Sequence, residues 1–205
     1  MKFMEKKLIL ATNNLHKVEE FRQMFELTPL SGIEILSLKD FPEFEAPPED
    51  GDSFAANATI KARAAAALGI TALADDSGLC VDALDGAPGI YSARFAGLDK
   101  NSADNNRKLL DLLAEVPQGS RQAAFHAVIV IATPDGRLYQ AEGQCRGEIA
   151  FTPDGAGGFG YDPIFYLPQY GCTMASLDSD EKNRISHRGH ALQQALPILV
   201  DLFAK

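Results

Sequence analysis

The stretch Ala123–Ala150, AAFHAVIVIATPDGRLYQAEGQCRGEIA, decides the fold class. Two runs rich in strand-forming residues flank the turn Pro134-Asp135-Gly136, so they read as the two arms of a hairpin. Upstream, KLILAT reads as a buried strand, and a helix follows NNLHK with Val18, Phe21 and Phe25 on one stripe. IEILSL is a second short strand. The proline-rich, acidic segment Lys39–Asp52 is a loop. SFAANATIKARAAAALG is a helix with Ser53 as its cap and Gly69 as its stop. ITALA is then a strand ending in the paired acids Asp75 and Asp76.

Downstream of the acids come GLCVDAL and the glycine-rich turns of DGAPGIYSARFAG. A helix over Ser102–Ala114 precedes Pro117 and the hairpin. The loop FTPDGAGGFGYDP follows it, and a last helix runs from Arg188 to Phe203, with Ser186 as cap and a bend at Pro197. Mixed strands and helices around one long hairpin predict α/β with a mixed sheet. With no internal repeat and no domain linker, residues 1–205 read as a single domain.

Bulk composition narrows the function classes. The 205 residues are 46% hydrophobic, ordinary for a globular protein, and no apolar run approaches the roughly 20 residues that span a bilayer. The basic N-terminal stretch has too short an apolar run for a secretory signal, so the cytoplasm is the expected compartment. Cys80, Cys145 and Cys172 are widely spaced without a C-x-x-C pair, which fits reduced thiols and disfavours a structural zinc site. A formal charge of −9 argues against a grip on long nucleic acid. It leaves room for a small anionic ligand, because a few cations in a pocket, or a metal ion, set the local field.

Four short constellations carry chemistry. In ATNNLHK a strand leads through polar residues into a helix. Unpaired N–H groups at that helix start, with Thr12, Asn13, Asn14 and Lys17, make an anion cradle. The plainer reading is a helix cap with a solvated lysine. In ADDSG two adjacent carboxylates repel each other at a strand end, so either the turn is solvated or something positive binds. A hard cation such as Mg2+ suits those oxygens, and Glu49 in the acidic loop offers another. In GGFGYDP glycines allow close backbone approach, and Phe159 or Tyr161 can stack on a base. The alternative is a flexible loop before a strand. In EKNRISHRGH the cations Lys182, Arg184, His187 and Arg188 crowd a helix start, where the macrodipole disfavours them unless an anion or electron-rich ligand binds. A solvated basic face is the bland alternative. His126 reads as a core or interface residue, and His16 has no role of its own.

Together these are a cation site, a phosphate cradle, a stacking loop and a cationic cluster, the parts of a nucleoside triphosphate enzyme. ATNNxxK, ADDSGL with GAPGIYSARFAG, GGFGYDP and EKNxISHR stand in the order and spacing of the inosine triphosphate pyrophosphatase family. The chain resembles that family, and its bacterial form in particular, over nearly its whole length. The resemblance implies an elongated mixed β-sheet flanked by helices, in two lobes with a central cleft, and a homodimer. It implies hydrolysis of inosine, deoxyinosine and xanthosine triphosphates to monophosphate and pyrophosphate with Mg2+, without nucleic acid or membrane as partner.

By motif match, Thr12, Asn13, Asn14 and Lys17 would hold the triphosphate, and Asp76 would be the catalytic acid that also binds metal. Ser77 would touch substrate, and Phe159, Gly160, Tyr161, Asp162, Lys182, His187 and Arg188 would line the nucleotide site. Glu49 would be the second metal-linked carboxylate. Lys17 and Lys182 are expected to offset charge on the leaving pyrophosphate. One departure stands out: where the family often reads F-x-E-N-A, this chain has Ala56 in place of the glutamate.

Overall fold

A computed structural model describes residues 6–98 and 101–204 of the chain. The first part of the N-terminal stretch weighed above as a leader therefore lies outside the described residues. Among the described residues no helix is long and apolar enough to cross a membrane.

Among the described residues seven strands form one sheet: β1 (Lys7–Leu10), β2 (Glu34–Ser37), β3 (Ala72–Val81), β4 (Gln122–Ala132), β5 (Leu138–Ile149), β6 (Phe165–Leu167) and β7 (Cys172–Thr173), in the order β2-β1-β3-β4-β5-β6-β7. β1 pairs in parallel with β2 and β3, whereas β5–β6 and β6–β7 are antiparallel. The sheet is mixed, as the hairpin and its flanking elements require, and the fold is α/β. The turn between β4 and β5 closes through Thr133 N–H to the Arg137 carbonyl at 3.0 Å and Gly136 N–H to the Thr133 carbonyl at 2.9 Å.

The helices are α1 (Leu15–Glu26), α2 (Phe54–Ala66), α3 (Ser102–Leu112), α4 (Ser179–Ile185) and α5 (His187–Phe203). Their boundaries follow local chemistry. Asn14 caps α1 by accepting from the N–H groups of His16 and Lys17, and Ser53 caps α2 by accepting from Ala56. Ser186 caps α5 through the Gly189 N–H at 3.1 Å. Gly189 has no alternative here, because any Cβ would collide with the Asn183 carbonyl. Gly69, at φ +86°, turns the chain out of α2 toward β3.

The chain divides into two compact units. The first gathers the chain up to Asp76, Val128–Glu142 and the chain from Ala191 onward. In its core, Ala58, Ala62, Ala65 and Ala66 of α2 pack against Ile9, Ala72, Ala74, Val128 and Val130, where small side chains let the helix lie close to the strands. The second unit comprises Ser77–Ala127 and Gly143–His190. Its core is larger-grained, with Leu79, Leu109, Phe125, Tyr161, Phe165 and Met174 among its buried side chains. Phe125 is central, its ring 4.6 Å from that of Phe165 and stacked on His187 at 4.8 Å.

Three sequence expectations need correction. β3 does not end before the acidic pair but runs through it to Val81. The cationic run does not crowd one helix start. Lys182 and Arg184 lie in the last turn of α4, where the dipole favours cations, and only His187 and Arg188 open α5. The cost argued for that cluster from the macrodipole is thus halved. The two-residue strand β7 carries too few residues to show a period and was not expected.

Candidate functional site

In the first unit the site is built on β3. Successive strand residues face opposite sides of a sheet. Ala72 and Ala74 pack against α2, and Asp76 follows on that face, while Asp75 points to the other. Each carboxylate meets a lysine there. Lys17 Nζ of α1 lies 2.6 Å from Asp75 Oδ2, and Lys61 Nζ of α2 lies 2.8 Å from Asp76 Oδ1. Asp75 is 2% exposed and Asp76 9%, so neither sits in a solvated turn. The positive partners asked for by the sequence are supplied first by the chain itself.

Lys61 joins more than one group. Its ammonium also donates to the Asp75 carbonyl at 2.9 Å and pairs with Glu49 Oε1 at 3.0 Å. Asn57, one turn earlier on α2, donates to Asp76 Oδ2 at 3.3 Å and accepts from the Gly51 N–H at 2.8 Å. The spacing of four puts Asn57 and Lys61 on one helical face, so both ends of the Asp76 carboxylate are held from α2. Sequence reasoning assigned neither residue a role. The signal was present as N-x-x-x-K in a helix just before the acidic pair.

The electrostatics are uneven. Burial pushes the Asp76 carboxyl above its ordinary value, further than Lys61 and Lys17 pull it back. Burial acts on Lys61 in the opposite sense, but attraction to Asp76 and Glu49 outweighs it and the ammonium is held charged above its usual range. Asp76 is therefore a carboxylate carrying a desolvation cost, a more basic group than a surface aspartate.

The anion cradle at α1 needs revision. The N–H groups of His16 and Lys17 point at Asn14 Oδ1, and that of Asn14 at Thr12 Oγ1. These donors are satisfied within the chain, so the plainer cap reading holds for Asn14. Thr12 is half-buried and Asn13 exposed beside it. Lys17 is not solvated either; it is pinned on Asp75.

Could these residues hold a metal ion? Among the described residues no group of three or more His, Cys, Asp or Glu gathers as a metal cage. Asp76 and Glu49 nevertheless converge on one ammonium, within 3.0 Å of it. Two carboxylates with only oxygen donors fit a hard divalent cation that takes its other ligands from water and phosphate. Ala56 adds no oxygen.

In the second unit the site is the turn from Gly157 to Asp162. Asp162 Oδ2 accepts from the Phe159 N–H at 2.8 Å and from Lys182 Nζ at 2.7 Å. Gly158, at φ +69°, lies against the same oxygen, and any Cβ there would collide with it. Lys182 and Arg188 both lie over the Phe159 ring, at 4.9 and 5.7 Å from its centroid. Arg188, 2% exposed, also donates to Ser77 Oγ at 3.0 Å. His187 is buried against Phe125.

The structure thus brings Ser77, Phe159, Asp162, Lys182 and Arg188 into one cluster with Gly160 in the same turn. His187 is stacked on Phe125, and Tyr161 is turned inward: its ring is buried in the core and its hydroxyl donates to the Ser92 carbonyl at 2.9 Å. Burial pushes its phenol pKa up. Of the two rings offered for stacking, only Phe159 lies outside the core. Lys182 is gathered with Phe159 and Arg188 in this unit, on the Asp162 carboxylate. His126 is half-buried in β4, its Nε2 3.2 Å from Gln144 Nε2.

The profile of the Ham1 family matches residues 8–198. The chain belongs to that family. It is 55% identical to the dITP/XTP pyrophosphatase of Desulforamulus reducens over 96% of this chain and 97% of that one. It is 46% identical to the dITP/XTP pyrophosphatase of Listeria monocytogenes, over 97% of each. Among solved structures, a Ham1 protein from Coxiella burnetii matches with a TM-score of 0.85 at 40% identity, over 96% of this chain and 99% of that one. The Staphylococcus aureus Ham1 protein matches with a TM-score of 0.82 at 41% identity, over 95% and 98%.

Proposed function

We propose that this protein hydrolyses inosine, deoxyinosine and xanthosine triphosphates to the monophosphate and pyrophosphate, clearing them from the nucleotide pool. Its family membership and the names of relatives up to 55% identical support the reaction class. The observation that carries the chemistry is the convergence of Asp76 and Glu49 on Lys61, beside Lys17 on Asp75.

In this reading the first unit handles phosphate and water. Asp76 accepts the proton of a water that attacks the α-phosphorus, and its upward-shifted carboxyl is better suited to that than an ordinary aspartate. Lys61 keeps Asp76 and Glu49 oriented, and Lys17 offsets charge developing on the pyrophosphate. Thr12 and Asn13 line the triphosphate at the start of α1, which Asn14 caps. Asp76 and Glu49 would hold Mg2+, which when bound polarises phosphate and lowers the pKa of attacking water.

The second unit handles the nucleoside. Phe159 stacks on the purine. Arg188 carries only donors and His187 can donate, so both suit the oxygen at position 6 of hypoxanthine and xanthine and are mismatched to the amino group of adenine. Lys182 serves that side of the nucleotide, where Asp162 fixes it. The enzyme acts in the cytoplasm as a homodimer, on small molecules, without nucleic acid or membrane.

A panel of purine triphosphates with Mg2+, assayed separately for pyrophosphate and orthophosphate, tests the reading. Pyrophosphate release with inosine and xanthosine triphosphates well ahead of ATP is expected. Release of orthophosphate alone overturns attack at the α-phosphorus, and binding without release makes the protein a nucleotide-binding module.

A further inference from the structure

Two consecutive asparagines of α3, Asn105 and Asn106, are 4% and 8% exposed. Asparagine is a poor helix former, and burying its amide is costly unless it is hydrogen-bonded. Asn105 uses its whole side chain. Its Oδ1 accepts from the Ala96 N–H at 2.6 Å, and its Nδ2 donates to the carbonyls of Ser92 and Ala93 at 3.4 and 3.2 Å. That residue ties down the segment after β3.

Asn106 behaves differently. Its Nδ2 donates to the Gly160 carbonyl at 3.1 Å, while its Oδ1 is buried with no hydrogen-bond partner among the described residues. The orientation is fixed, since the reversed amide would set an oxygen against that carbonyl. An apolar side chain would remove the unmet acceptor. The one thing the amide supplies is the bond to Gly160.

Gly160 needs that bond. Both Gly158 and Gly160 have left-handed φ, +69° and +64°, and glycines of this kind have little conformational preference of their own. The shape of the turn is therefore set by hydrogen bonds on either side of Phe159. The Phe159 N–H and carbonyl are both held by Asp162, through its carboxylate and its backbone N–H, and the Gly160 carbonyl is held by Asn106. The Tyr161 hydroxyl and the Asn105 amide both donate to the Ser92 carbonyl.

We propose that Asn106 is a positioning residue for base recognition, holding the Gly160 carbonyl so that the Phe159 ring is presented to the purine. The proposal rests on the nucleotide reading above.

The test compares the full-length parent, at a pH well above the carboxylate range, with Asn106→Leu and with the near-isosteric Asn106→Asp, whose ionised carboxylate cannot donate to the carbonyl. Two measurements are made: kcat and KM for inosine triphosphate with Mg2+, and calorimetric binding of inosine monophosphate without metal. In both variants KM rises and monophosphate affinity falls by about tenfold, while kcat stays within roughly twofold. Should Asn106→Leu fail to fold, Asn106→Asp carries the comparison alone. A lowered melting temperature with KM and monophosphate affinity unchanged makes Asn106 merely structural and overturns the proposal. A parent protein that neither binds nor hydrolyses inosine nucleotides overturns the nucleotide reading, and the proposal with it.

Discussion

Asp76 in the first unit and Asp162 in the second are both buried aspartates paired with a lysine, at 2.8 and 2.7 Å, Lys182 being buried and Lys61 half-buried. Their surroundings differ. One Asp162 oxygen accepts from Lys182 and from the Phe159 N–H, and Gly158 closes over it, so the pair is a finished piece of scaffold. Asp76 shares its lysine with Glu49, and burial raises its carboxyl in spite of that lysine. One ion pair stabilises a shape. The other holds a carboxylate whose charge its buried surroundings disfavour, as functional sites do.

Substituting each aspartate by asparagine separates the two kinds of pair, and the largest effect falls on Asp76. Asp76→Asn removes the proton acceptor and a metal oxygen, so turnover of inosine triphosphate falls by about a thousandfold. Its folding stability stays within about 1 kcal/mol of the parent, because the neutral amide suits a site that already disfavours the charged carboxylate. Pyrophosphate release and a urea melt on the same preparation check both halves. Near-normal turnover in the folded variant would remove Asp76 from its role.

Asp162→Asn should show the reverse balance. It leaves the Lys182 ammonium, in a residue 7% exposed, without its carboxylate and weakens the clasp on the Phe159 N–H. Breaking a buried pair by removing one partner costs about 3 kcal/mol. The urea midpoint falls accordingly, and KM for the nucleotide rises with it. An unchanged midpoint would mean that the second-unit pair is not the scaffold described.

How much of this contrast was legible in the sequence depends on range. Local signals were readable: Ser53 and Ser186 as caps, Gly69 as a stop, the hairpin around Pro134-Asp135-Gly136, and the motifs that place the chain in its family. The strand through Asp75 and Asp76 was not, because two adjacent acids read as a break unless partners on both faces are known. Those partners, Lys17 and Lys61, lie 58 and 15 residues away from them in sequence. The separation of Lys182 from the start of α5 depended on Ser186 ending one helix and capping the next. Tyr161 and Phe159 are both aromatic residues in a glycine-rich turn. Only the Ser92 carbonyl, 69 residues from Tyr161, explains why one ring turns inward.

The smallest expected effect is a slope. A carboxyl whose folded pKa is raised above its ordinary value of 3.8 binds more protons in the folded state than in the unfolded state between those two values. Stability falls with rising pH wherever the folded state binds the extra proton. In the metal-free protein Asp76 therefore costs nothing below the ordinary carboxylate value. Its cost grows as pH rises from 3.8 to the raised folded value and is constant above that. The amide introduced by Asp76→Asn does not titrate, so the stability difference between parent and variant isolates this contribution from every other acid. Urea midpoints measured with a chelator present, stepped upward from about pH 4, should move in the variant's favour and then level off. For Asp162, whose partners are satisfied, substitution should remain destabilising across the same range. A parent that gained on the Asp76→Asn variant as pH rose would show that Lys61 outweighs burial at Asp76, and the two aspartates would then be pairs of the same kind.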